Sequence, residues 1–206
     1  MRIARTVLAT MVPLALALSG CGDDQSAEPA GTDSMTDDSM TDDSMTDDSM
    51  TDDSMAGEEM MGAAWQSLTL TDTDGNMFTL NDFMGTPVFV ENFATWCPNC
   101  RRQLGDTQEA AAELGDEAVF IALSVETDLS AEDVAEYAAD NGFDNIRFAV
   151  MTPEFLAAIS DHYGNNSINA PSTPHYVIDS HGVAGAMNTG FETSAGIVEA
   201  LRTAAM

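Results

Sequence analysis

A run of β-forming residues, Val88-Phe89-Val90-Glu91-Asn92-Phe93, leads through Ala94-Thr95 directly into Trp96-Cys97-Pro98-Asn99-Cys100. This handover from a buried strand to a helix start constrains the chain more than any other stretch. Pro98 suits the first helical position, where its missing N–H is not needed. Cys97 therefore falls at the helix N-terminus and Cys100 one turn on, on the same side and deeper. Unpaired N–H groups and the positive end of the helix dipole favour a thiolate there, so Cys97 is the candidate nucleophile and Cys100 the resolving thiol. Two plainer readings compete. A CxxC can be half of a zinc site, but the third cysteine is Cys21, and His162, His175 and His181 lack the spacing of a metal finger. A purely structural disulfide would close so short a loop that it restricts the unfolded chain little. The dithiol reading calls for no metal and no cofactor.

The first third of the chain has another character. Arg2 and Arg5 precede an apolar run from Val7 to Leu18, too short to span a bilayer stably, and Leu18-Ser19-Gly20-Cys21 follows. Residues 1–20 read as a targeting segment. Residues 21–62 are low-complexity, with Ser-Met-Thr-Asp-Asp repeated in tandem from Ser34 to Asp53. Such a stretch buries too little apolar surface to offset chain entropy, so a disordered acidic linker is expected, tethering one folded domain over residues 63–206. Its Met and Asp side chains suit Cu(I) or hard cations by ligand type, but so short a repeat fixes no coordination geometry. Charge excludes other partners. Six Lys+Arg against 35 Asp+Glu give a net charge of -29, with no lysine, so nucleic acid and anionic headgroups are repelled. A composition of this kind also suits high salt, which screens self-repulsion.

Within the domain, Trp65 to Leu70 reads as a strand, Asp72-Thr73-Asp74-Gly75 as a hairpin turn and Met77 to Leu80 as the return strand. A helix follows the cysteines to Leu114 and stops at Gly115. Val119 to Val125 is almost continuously apolar, as a central parallel strand would be. Ser130 caps a helix that ends at Gly142, Ile146 to Val150 is a strand, and Thr152-Pro153 opens a helix to about Tyr163. After a loop from Asn165 to Thr173 come the strand His175 to Ile178, a turn at Asp179 to Gly182, a return strand Val183 to Met187, and a last helix capped by Ser194. Alternating strands and helices with a terminal hairpin describe an α/β fold with a mixed sheet. By alternation Glu91 shares a face with Phe89 and Phe93, beneath the cysteines. A carboxylate buried there has a raised pKa and can take the Cys100 proton as a mixed disulfide resolves; the alternative is a partly solvated strand-end residue. Arg101 and Arg102 either add positive potential that favours the Cys97 thiolate or pair with surface acids.

The segment Phe78 to Cys100 resembles, almost position for position, the signature of the TlpA/ResA-type thiol-disulfide oxidoreductases of the bacterial envelope, within the thioredoxin superfamily. Thr173-Pro174 before His175-Tyr176-Val177-Ile178-Asp179 and Gly182 is similar to that family's cis-proline loop, though one residue shorter, which leaves Pro171 as a rival for the cis position. The resemblance covers residues 65–206. It implies a thioredoxin-like fold, with a central mixed sheet flanked by helices and an N-terminal β-hairpin extension. It also implies a redox-active Cys97–Cys100 disulfide, with Trp96, Pro98, Asn99, Thr173 and Pro174 as its support and Glu91 where thioredoxins carry a buried acid. A cis Thr173–Pro174 bond would offer the preceding carbonyl edge to an extended substrate.

Leu18 to Cys21 resembles the lipobox of bacterial lipoproteins, which implies a lipid anchor on Cys21 and a place on the outer side of the cytoplasmic membrane; an ordinary secretory signal is the alternative. The implied partners are protein thiols and disulfides, apocytochrome c cysteines among them, and a membrane-borne redox partner. Two related chemistries stay open. A thiol peroxidase would carry Pro-x-x-x-Thr-x-x-Cys, whereas Thr95 stands two residues before Cys97. A Sco-like copper assembly factor usually has three residues between its cysteines, not two.

Overall fold

In the computed structural model, which describes residues 62–206, the elements are β1 (Leu70–Thr71), β2 (Met77–Phe78), β3 (Val88–Phe93), α1 (Pro98–Leu114), β4 (Val119–Ser124), α2 (Ala131–Asn141), β5 (Arg147–Val150), α3 (Pro153–Tyr163), β6 (His175–Ile178) and α4 (Ser194–Ala204). The targeting segment, Cys21 and the Ser-Met-Thr-Asp-Asp repeats lie outside the described residues. β3 is buried along its whole length, with Val88 and Val90 in the core on one side and Phe89 and Phe93 in the core on the other. A strand apolar on both faces belongs in the middle of a sheet. The order is β5-β4-β3-β6, with β3, β4 and β5 parallel and β6 antiparallel to β3. Helices α1, α2 and α4 supply the core on the Phe89 side, and α3 that on the Val90 side. Among the described residues no helix is long and apolar enough to cross a membrane.

Local chemistry explains most element ends. Pro98 opens α1 behind the Cys97 cap, and Leu104, Ala110, Ala111 and Leu114 form its buried stripe. Ser130 and Asp133 form a reciprocal capping box at α2, and Gly142, at a φ of 72°, closes that helix in the left-handed conformation that glycine adopts most cheaply. Thr152 caps α3, with Pro153 next.

Four expectations need correction. Residues Ala64–Ser67 form a 3-10 turn, not a strand, and β1 is confined to Leu70–Thr71. Neighbouring Trp65 and Gln66 are both buried, Trp65 against Phe155, Tyr163 and Tyr176 and Gln66 donating to the Gly182 carbonyl at 3.0 Å. An edge strand with one face in water would expose one of them. The return strand β2 is likewise short, because Leu80 begins a 3-10 turn capped by Thr79 and Asp82. The terminal hairpin survives only as the bridges Ile178↔Ala184 and His175↔Asn188. Three steps on β6 face four on the returning chain, so an extra residue bulges out and breaks the ladder. Finally, Thr193 rather than Ser194 caps α4, its hydroxyl accepting the Gly196 N–H at 3.1 Å.

Candidate active site

The C-terminal ends of parallel β3 and β4 open at one edge of the sheet, where ligands and chemistry usually collect in open α/β folds. Cys97 is the N-cap of α1, and its sulfur accepts the Cys100 N–H at 3.1 Å. The two cysteines form a disulfide, with Cα atoms 5.3 Å apart. Cys97 is 1% exposed and Cys100 fully buried. The Cys100 sulfur lies 3.1 Å from the Ala170 carbonyl. In the disulfide that sulfur has no proton, but on reduction the same neighbour is an acceptor for its S–H. A donor at one sulfur favours the thiolate, and an acceptor at the other favours the thiol. The assignment of Cys97 as nucleophile and Cys100 as resolving group thus rests on opposite surroundings. A cavity of about 70 Å³ reaches Cys97 between Thr95, Trp96, Pro98 and Arg101.

The supporting loops are tied down by hydrogen bonds. Asn99 Nδ2 donates to the Pro171 carbonyl at 3.0 Å. Thr173 has a φ of 48°, rare for a β-branched residue, and three bonds hold it there. Its N–H donates to Ala170, its hydroxyl to the Gly190 carbonyl, and its own carbonyl accepts from the His175 ring at 2.9 Å. Thr173 is fully buried and its carbonyl is bonded to the imidazole, where an exposed carbonyl edge was expected. Burial depresses the His175 pKa, partly offset by the Thr173 carbonyl and Glu192, and because a carbonyl can only accept, Nδ1 is the donor. Pro174 is buried, and its carbonyl extends the ladder by accepting the Asn92 N–H at 2.9 Å.

Glu91 is wholly buried on the α1 side of β3. Its Oε2 lies 3.0 Å from the Thr107 hydroxyl, and Oε1 has no partner. Burial drives its pKa well up, Asp106 adds to the rise and Thr107 opposes it. The donor count agrees. Thr107 Oγ1 is also 3.1 Å from the Gln103 carbonyl, which accepts only, and one hydroxyl proton cannot serve both oxygens. A protonated Glu91 closes the count by donating to Thr107, whose proton then goes to Gln103. Thr107 lies two turns beyond Cys100, about 10 Å along the axis. The carboxyl therefore sits beneath the pair without a direct hydrogen bond to it.

Glu126 escaped the sequence reading. Its carboxylate accepts the Thr95 N–H at 2.6 Å and the Thr95 hydroxyl at 2.8 Å, clamping the loop that carries Trp96 and Cys97. Its position just past the apolar run of β4, at the strand end, was the available signal. Tyr137 stacks on Phe93 at 5.5 Å, and its hydroxyl is pushed up to about 12 by burial, with Glu91 adding and Arg101 opposing. The ion pairs among the described residues are Arg147–Asp72 and Arg202–Glu113. Arg101 and Arg102 are exposed and take no part in them. Nor do three or more His, Cys, Asp or Glu side chains converge to hold a metal among those residues.

The AhpC/TSA family model matches residues 61–185. No curated protein matches the chain. Among solved structures, the thiol:disulfide interchange protein of the thioredoxin family from Chlorobium tepidum TLS aligns with a TM-score of 0.58 at 22% identity, over 68% of this chain and 93% of that one. The pneumococcal exposed lipoprotein thioredoxin of Streptococcus pneumoniae strain TIGR4 aligns at 0.54 and 25% identity, over 66% and 98%. ScoI from Bradyrhizobium japonicum, with copper bound, aligns at 0.52 and 16%, over 66% and 95%. The fold is thioredoxin-like.

Proposed function

The chain belongs to the AhpC/TSA family, and from that premise we propose that it is a TlpA/ResA-type thiol-disulfide oxidoreductase, held by a lipid on Cys21 at the extracytoplasmic face of a membrane and acting as a reductase of protein disulfides. The observation that carries the reading is the contrast between the two sulfurs, with an N–H donor at Cys97 and a carbonyl at Cys100. In the reduced enzyme the Cys97 thiolate attacks one sulfur of a substrate disulfide, the substrate S–S bond breaks and its second sulfur leaves as a thiolate that takes up a proton. Cys100 then loses its proton and attacks the Cys97 sulfur, releasing the second substrate thiol and forming the Cys97–Cys100 disulfide. Two electrons pass from the dithiol to the substrate. Glu91 is the buried acid that exchanges the Cys100 proton, by a relay and not by direct contact.

A membrane-borne dithiol donor would restore the reduced pair, and apocytochrome c cysteines are substrates of suitable chemistry. The lipobox-like Leu18 to Cys21 supports the anchor, and fatty-acid labelling lost on Cys21→Ser tests it. Insulin reduction by the full chain with dithiothreitol tests the exchange: acceleration over dithiothreitol alone is expected, and none would end the reading. The potential of the pair fixes direction, a reductase lying at about -270 mV and an oxidant at about -120 mV.

Family membership also favours a peroxide-reducing reading. Against it, the Thr95 hydroxyl is donated to Glu126 and stands two residues from Cys97, not three. Peroxide consumption faster than insulin reduction would reverse the choice.

A further inference from the structure

Four arginines supply every permanent positive charge within residues 62–206. Arg147 and Arg202 are neutralised in ion pairs far from the cysteines in sequence, at Asp72 and Glu113. Arg101 and Arg102, in the first turns of α1, are exposed and unpaired by the described residues. Arg102 is nevertheless held in place. Its guanidinium lies over the Phe191 ring, 4.0 Å from the centroid, which orients the fork without neutralising it. The loop under Phe191 is fixed in turn, because Gln103 bonds both the N–H and the carbonyl of Glu192, and Gly190 bonds Ser172 and Thr173. Phe191 is 47% exposed and Trp96, beside Cys97, 63% exposed. Exposed apolar rings (Trp96, Phe191) and two exposed cations (Arg101, lining the Cys97 cavity, and Arg102) therefore cluster about the start of α1, next to the carboxylates of Glu126 and Glu192, on a chain whose net charge is -29.

We propose that this face selects protein segments that carry a carboxylate side chain close to the reacting cysteine, with the Arg102 guanidinium on its Phe191 platform as the receptor for that carboxylate. The proposal rests on the exchange reading above and adds its substrate class. An acidic segment meets repulsion over most of this protein and attraction at Arg101 and Arg102, so complementary charge also places the substrate cysteine over Cys97. A lysine-bearing segment meets the reverse at the point of reaction.

The test uses the full reduced chain in a Cys21→Ser background and three peptides of one sequence, each with a single cysteine blocked as a 2-thiopyridyl disulfide and with Glu, Gln or Lys two residues from it. Release of pyridine-2-thione in a single turnover, with peptide in excess, gives the second-order rate constant of attack by Cys97. In low salt the Glu peptide should exceed the Lys peptide by about five-fold or more, and 1 M salt should compress that ratio. Arg102→Lys should keep the preference, Arg102→Gln should reduce it, and Arg102→Glu should invert it in favour of the Lys peptide. Phe191→Ala should weaken it without inversion. A Glu-to-Lys ratio unchanged in Arg102→Glu would overturn the proposal. Failure of all three peptides to react would instead sink the exchange reading itself, so the two failures are separable.

Discussion

Replacing Glu91 with glutamine should stabilise the oxidised protein by an amount that grows with pH. The carboxyl is fully buried, one oxygen has no partner and the other has only Thr107. Burial raises its pKa well above the ordinary 4.5. A group raised in this way contributes its full stability below the unfolded value and loses it as pH rises through the folded one. In the unfolded chain Glu91 ionises above about pH 4.5. Each further pH unit over which the folded chain stays protonated then costs the wild type about 1.4 kcal/mol that glutamine does not pay. From pH 4.5 to 6.5 the difference reaches about 2.7 kcal/mol if the acid is still protonated. Against this, the glutamine amide nitrogen takes the place of Oε2, where one N–H donates to Thr107 and the second has no acceptor, a pH-independent loss of about 1 kcal/mol. Urea unfolding of both proteins at half-unit steps from pH 4 to 8 measures the difference. It should start near zero or slightly unfavourable, climb, and level where the folded acid ionises. High salt should leave the climb in place, because the site is dry. A difference flat between pH 4.5 and 7.5 would refute the reasoning.

Other expected outcomes follow from single contacts. Glu126→Ala removes the one carboxylate oxygen that accepts both the Thr95 N–H and the Thr95 hydroxyl and should cost about 1–3 kcal/mol, while slowing attack by Cys97 through a loosened loop; urea midpoints and insulin turnover read the two effects. Burial works against the charge of Asp72, yet the Asn76 amides, Arg147 and the Asp74 N–H hold its pKa below the usual range. Its contribution is present above the unfolded value of 3.8 and lost as pH falls through the folded one. Asp72→Ala should therefore cost about 2 kcal/mol at pH 7, measured by thermal unfolding, and much less near pH 2. Gly142→Ala meets no neighbour within 4 Å but holds a φ of 72°, so about 1 kcal/mol of strain should appear without any packing change.

Where a residue's partners lie close in sequence, the fold was readable. Pro98, Gly115, Ser130, Gly142 and Thr152 mark helix ends through bonds to residues a turn away, and they fell where expected. Alternation placed Glu91 on the face of Phe89 and Phe93, and the structure buries it there rather than leaving it partly solvated at the strand end. What was missed depends on distant partners. Trp65 turns inward because of α3 and Tyr176, some ninety residues or more ahead for Phe155, Tyr163 and Tyr176 alike. The clamp from Glu126 reaches back 31 residues to Thr95. The His175 ring closes onto Thr173 where Thr173 takes a left-handed backbone conformation, held through its hydroxyl by Gly190, 17 residues further on. The pairing of Cys97 with Cys100 was legible, but the carbonyl of Ala170 beside the Cys100 sulfur was not.

The most direct test of the central claim is covalent trapping, in a Cys21→Ser background, with a peptide disulfide offered to Cys100→Ser and to Cys97→Ser in their reduced forms. Cys100→Ser should accumulate a stable mixed disulfide on Cys97, found by mass spectrometry, while Cys97→Ser stays essentially unmodified. Equal adducts on the two variants, or insulin turnover retained by Cys97→Ser, would contradict the division of labour between the two sulfurs.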